Sequence, residues 1–143
     1  MVEIFNRQRR HKLNPRHWRE FGEKAVKAIS KEERDATIVF VIDQAIKNLN
    51  RQFRGKNYAT DVLSFPTEAE AFEVENQTQL GEVIISVQRA ETQAKEHGLR
   101  FSIEVSQLIL HGLLHLCGYD HETDRGEMNR LELRLRKRLG IVG

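Results

Sequence analysis

IEVSQLILHGLLHLCGYDH, residues 103–121, decides the reading of this 143-residue chain. Val105, Leu108, Ile109, Leu113 and Leu116 recur at helical spacing, and Leu110 and Leu114 extend the apolar surface nearly around the helix. A helix that is apolar on all sides is a buried one, so other elements must cover it. His111 and His115 are four residues apart, which puts them on one face, about 6 Å from each other along the axis. Burying two unpartnered imidazoles costs on the order of 1–3 kcal/mol each, and a shared cation satisfies both. Gly118 and Tyr119 then form a turn that brings His121 back towards the same face. Three protein ligands with one position open describe a catalytic zinc site, because a structural site is closed by four. Water in the open position is acidified towards neutrality and becomes a nucleophile. The expectation is one Zn2+ per chain, held by His111, His115 and His121. The plainer alternative is a helical histidine pair bonded to backbone or to each other; the third histidine after a glycine turn weighs against it.

Outward from this helix the chain reads as short strands and helices. Residues 2–5 alternate like a strand, and Asn14 followed by Pro15 is a helix start, with Trp18, Phe21, Ala25, Val26 and Ile29 at helical spacing behind it. Residues 37–42 are a β-branched run suited to a buried strand, after which Asp43 is expected to cap a helix reaching about Phe53. A polar loop centred on Gly55 leads to a strand over residues 62–65, stopped by Pro66. Residues 68–79 are acidic and irregular and read as an exposed loop. Residues 80–86 form another strand, and Ser86 caps a helix that Gly98 ends in a left-handed turn. A last helix is expected over about 122–139. Four strands and about five helices, out of strict alternation, predict an α+β fold: a mixed four-stranded sheet packed with helices, one of them a zincin-like histidine helix. The chain has no repeat, low-complexity tract or Pro/Gly-rich linker, so residues 1–143 read as one domain.

With 39% hydrophobic and 31% charged residues the composition is that of a globular protein rather than a disordered or fibrous one. No apolar run is long enough to span a bilayer, and the start MVEIFNRQRR lacks the apolar core of a signal peptide, so a cytoplasmic protein with no membrane contact is expected. Cys117 is the single cysteine, so there is no disulfide partner, which fits a reducing compartment. The net charge of +2 is unevenly spread: residues 1–34 hold ten Lys/Arg against five Asp/Glu, and residues 125–143 hold six against two. These basic segments either follow a phosphate backbone or are solvated helix faces, and charge alone favours the second.

The spacing H-x3-H-x5-H is similar to the zincin metalloproteases, whose motif is H-E-x-x-H. Gly112 stands where their glutamate acts as general base, which argues against peptide hydrolysis. Gly112 either lets something approach the helix closely or is a packing choice; the sequence leaves both open. HGLLHLCGYDH, residues 111–121, resembles the H-G-x-L-H-L-x-G-Y-D-H signature of the YbeY family of bacterial endoribonucleases and rRNA maturation factors. FRGKNYATDVLSFP at 53–66 and LGEVIIS at 80–86 agree in order and separation. The resemblance therefore runs over residues 48–140, while the amino-terminal third agrees only in general character.

The resemblance implies a metal-dependent, single-strand-specific endoribonuclease of late rRNA maturation, acting at the 3′ end of the small-subunit 16S rRNA and in ribosome quality control. It implies single-stranded RNA, rRNA precursor and the small ribosomal subunit as partners. The family's metal ligands fall on His111, His115 and His121, its functionally important arginine on Arg54, the acidic residue after its sheet glycine on Glu82, and the Gly-Tyr-Asp-His aspartate on Asp120. Arg54 and His111 are then the expected catalytic residues. A metal polarises a phosphoryl oxygen and supplies a nucleophile. An arginine grips a phosphate through two parallel N–H bonds, which suits Arg54 to binding substrate. Lys56 either adds a phosphate contact or only shapes its loop, as Asp61 and Ser64 do. Asp120 either orients a histidine or caps the last helix, and Glu82 is either a general base or a solvent-facing strand carboxylate. His11, His17 and His97 lack metal spacing and read as surface residues. Two other functions remain possible at this point: a metal-dependent hydrolase of another substrate, peptides included, or a ribosome assembly factor whose metal is structural.

Overall fold

Alternation along the strands sets the layers. The computed structural model describes residues 1–67 and 79–142. The elements run β1 (Val2–Asn6), α1 (Pro15–Ser30), β2 (Asp35–Val41), α2 (Asp43–Arg54), β3 (Val62–Pro66) and β4 (Gln79–Ser86). Three helices follow: α3 (Val87–His97), α4 (Phe101–Leu116) and α5 (Glu127–Arg138). The sheet order is β1-β2-β4-β3, with β1, β2 and β4 parallel and β3 antiparallel to β4. This is the expected α+β arrangement with a mixed four-stranded sheet.

Ile38, Phe40, Val83 and Ile85 face one side of the sheet, where they meet α1 and α4 in the main core. Val39, Val41 and Ile84 face the other side and pack with Leu63 and with Ile46 of α2. β2 is thus covered on both faces, which is why its sequence is a continuous apolar run rather than an alternating one. Within α4, Ile109, Leu110, Leu113 and Leu114 are wholly buried, as its all-round apolar pattern requires.

The sheet also answers the question about Gly112. A Cβ there would lie 2.6 Å from Val83 Cγ1 and 3.2 Å from Ser64 Oγ, so α4 rests directly on β3 and β4. Ser64 Oγ donates to the Gly112 carbonyl at 3.0 Å, fixing that contact. Packing, not access for a ligand, selects glycine here, and there is no room for the zincin glutamate.

Local signals behave as read at Asn14, whose side chain accepts from the His17 amide at 3.2 Å, and at Ser86, which accepts from the Arg89 amide at 3.2 Å. Two expectations are corrected. Asp43 is the first residue of α2 rather than its cap; Ile42 holds the cap position, and the Asp43 carboxylate accepts from the Ser86 hydroxyl. The last helix starts at Glu127, not near 122, because turns occupy the residues after His121. Its first turn is served by Asp124, which accepts from the amides of Gly126 (2.8 Å) and Met128 (2.9 Å), so Asp120 does not cap it. Of the expected acidic loop, residues 68–78 lie outside the described residues, and Gln79 begins β4.

Candidate metal centre

α4 carries His111 and His115 one turn apart to the end of the helix, where Leu116 is its last residue. Gly118 adopts φ +95°, and the amide of Tyr119 bonds the Leu114 carbonyl at 3.1 Å, turning the chain back. The turn delivers the exposed His121, whose ring stacks on His111 with centroids 5.5 Å apart and lies 6.3 Å from His115. His111 Nε2 and His115 Nε2 are 3.2 Å apart.

Glu132 of α5 completes the arrangement. It is only 5% exposed, and its Oε1 lies 2.9 Å from His111 Nδ1 while its Oε2 accepts from Arg136 Nη2 at 2.9 Å. Burial alone would raise the Glu132 pKa, but the His111 hydrogen bond and the charges of His111 and Arg136 outweigh it and hold the carboxyl below its ordinary value. An ionised Glu132 accepts only, so His111 donates Nδ1–H to it, and the His111 Nε2 is left turned towards His115. The His115 pKa is lowered, first by burial and then by repulsion from His111, with Asp120 acting in the opposite sense. The neutral imidazole favoured there is the form that binds metal.

Among the described residues the group that could hold a metal ion is His111, His121 and Glu132, and His115 stands outside it, close only to His111. Two nitrogens at about 2.1 Å from a tetrahedral zinc stand about 3.4 Å apart, close to the 3.2 Å between the two Nε2 atoms. Nitrogens of His111 and His121 and a carboxylate oxygen of Glu132 also lie within 4.8 Å of one another, so Glu132 is near enough to matter. Its hydrogen bond to Nδ1 makes it the partner that orients His111, the usual role of a carboxylate behind a ligating histidine.

Arg54, the last residue of α2, lines the same cleft as His111 and His115. Gly55 ends the helix at φ +68°, and Arg54 Nη2 donates to the Ser64 carbonyl at 2.8 Å with its guanidinium 5.6 Å from the Phe65 ring centroid. Ser64 also holds Gly112, so one strand residue sets the position of both Arg54 and the histidine helix. Arg54, His111, His115 and Asp120 line one cleft of about 510 Å3.

The other expected residues divide. Asp120 lies in the cleft, but its Oδ1 accepts from the Glu122 amide at 3.0 Å, shaping the turn. Lys56 is exposed and its amide bonds the Asn50 carbonyl at 3.3 Å, closing the end of α2. Glu82 is exposed on the strand face that carries Ile84, whereas Val83 and Ile85 face α4, so the sheet separates it from the histidines. The residues missed are Glu132 and Arg136. Met128, Leu131, Leu135 and Leu139 make the inward stripe of α5, and a glutamate inside that stripe was the available sign. Two histidines read as surface residues are also held: His97 Nδ1 lies 2.7 Å from the buried Glu104, and His11 stacks on Phe101 at 4.2 Å.

Comparison with known proteins agrees with this geometry. The family model described as Endoribonuclease YbeY matches residues 3–140, which brings in β1 and α1 as well as the motif-bearing part. The endoribonuclease YbeY of Geobacter metallireducens is 35% identical over 142 residues, covering 99% of this chain and 95% of that protein. That of Nautilia profundicola is 46% identical over 109 residues, 76% of this chain and 75% of the relative. A Thermotoga maritima protein with a known solution structure superposes with a TM-score of 0.66 at 30% identity, covering 97% of this chain and 89% of that one. The chain belongs to the endoribonuclease YbeY family.

Proposed function

We propose that this chain is a zinc-dependent, single-strand-specific endoribonuclease, with one Zn2+ held by His111, His115 and His121. The observation that carries the reading is the cleft that Arg54 lines together with His111 and His115. Zinc held there supplies Lewis acidity at a phosphoryl oxygen and lowers the pKa of water. The chain's own residues do the rest. Arg54 binds the scissile phosphate and stabilises the charge that develops on it, its guanidinium already oriented by Ser64 and Phe65. Glu132 orients the His111 ring, and His111 first, then Arg136, hold the Glu132 carboxyl below the ordinary value. His121 is exposed to solvent beside His111.

From membership of the family we further infer the substrate: rRNA precursor on the small ribosomal subunit, trimmed at the 3′ end of 16S rRNA in the cytoplasm, with a role in ribosome quality control. The whole chain, residues 1–143, serves as one catalytic domain. No helix among the described residues is long and apolar enough to cross a membrane. Incubation of zinc-loaded protein with a single-stranded RNA, a duplex of the same sequence and an unstructured peptide tests the reading. Cleavage of the single strand alone, abolished in His111→Ala, is expected. Peptide cleavage, or subunit binding with inert RNA, would overturn it in favour of another hydrolase or an assembly factor.

A further inference from the structure

A second cavity, of about 550 Å3, opens beside the histidines. Asp61, Val62 and His111 line both this cavity and the Arg54 cleft, so the two are continuous across His111. At its far end His97 presents a half-exposed ring whose Nδ1 is bonded at 2.7 Å to Glu104, a carboxylate only 3% exposed. Glu104 and His111 lie two helical turns apart on α4, about 10 Å along the axis. That is beyond hydrogen-bond reach of a phosphate held at His111, but within reach of the adjoining nucleotide.

The lining selects a base over a phosphate. Its carboxylates, Asp61, Glu104 and Glu132, outnumber the single fixed cation, Arg136, which is already bonded to Glu132. Leu99, Leu108 and Val62 offer an apolar wall for the face of a ring. Gln107 donates through Nε2 to the Ile141 carbonyl at 2.8 Å, which leaves Oε1 as an acceptor without a partner among the described residues. A free acceptor beside an apolar wall suits a base carrying an exocyclic amino group.

We propose that this cavity is a base-binding subsite for the nucleotide next to the scissile phosphate. The His97 ring is the stacking surface, Glu104 is the residue that positions it, and Gln107 reads an amino group, so cytosine is preferred to uracil. The proposal rests on the endoribonuclease reading but is tested apart from it. Cytidine and uridine, which lack a phosphate and so do not report on Arg54, are titrated into the zinc-loaded protein and followed by NMR. Cytidine is expected to shift the His97 ring protons and the Gln107 side-chain amide, to bind at least about fivefold more tightly than uridine, and to lose about tenfold in His97→Ala. In RNA cleavage, His97→Ala raises KM with kcat nearly unchanged and flattens the base preference beside the cut. Equal binding of the two nucleosides, shifts elsewhere on the protein, or an unchanged KM and end preference in His97→Ala would overturn the subsite. Protein that binds cytidine as described but leaves RNA intact would uphold the subsite and count against the nuclease function.

Discussion

Glu132 shows most clearly how one residue governs the site. It touches His111 on one oxygen and Arg136 on the other, so its loss frees the ring that carries the key nitrogen. Glu132→Gln, which keeps the shape and removes the charge, is expected to weaken zinc affinity about 10–100-fold in a competition titration, with the far-UV circular dichroism spectrum unchanged. The two lowered pKa values act on stability in the same sense. His115 lies below its ordinary value of 6.5 in the folded protein, so as pH falls below 6.5 the unfolded chain takes up that proton first. Stability of the metal-free protein therefore drops through the window between 6.5 and the folded value, and His115→Ala loses that part of the slope in a series of thermal melts. Glu132 adds its own loss at lower pH: its contribution is present above 4.5 and disappears as pH falls through the depressed folded value. The clustering of the histidines was legible in the sequence because their spacing is local, whereas Arg54 was picked out only through the family motif. Glu132 was not, because its meaning depends on α5 packing against α4, which no local pattern specifies.

Among the elements, α4 and the two strands beneath it form the supporting unit. Gly112 sits against Val83 and Ser64 with no space for a side chain, and its neighbour His111 is held at that height. Gly112→Ala is expected to destabilise the fold by about 1–3 kcal/mol in urea unfolding and to reduce zinc affinity by lifting α4 from the sheet. Unchanged stability would mean that Val83 rotates away at little cost. The strands, the Asn14 and Ser86 caps and the buried character of α4 could be read from the sequence, since each follows from propensity and period over a few residues. The carboxylates were harder. Asp43, Asp120 and Asp124 all stand near helix starts, and which one serves the helix amides is decided by how the turn after His121 folds and by the proximity of α3 to α2. Glu82 was ambiguous for a related reason: Val83, Ile84 and Ile85 are all apolar, so the sequence does not say which strand face α4 covers.

Two adjoining hollows share Asp61, Val62 and His111, and together they run from Arg54 past His111 to His97. With a net charge of only +2, attraction to RNA comes from placed residues rather than from bulk charge. Arg54→Ala is accordingly expected to lower affinity for single-stranded RNA and to reduce the salt-dependence slope of binding by about 0.7, as loss of one phosphate contact requires. An unaltered slope would place Arg54 off the path of the strand. Family membership points to RNA cleavage, and the histidine cluster could hold a metal ion. The most direct test is a single preparation assayed three times against single-stranded RNA: as purified, after complete chelation, and after one equivalent of zinc is returned. The account predicts cleavage, then none, then full recovery at one zinc per chain; undiminished cleavage by the chelated protein would contradict it.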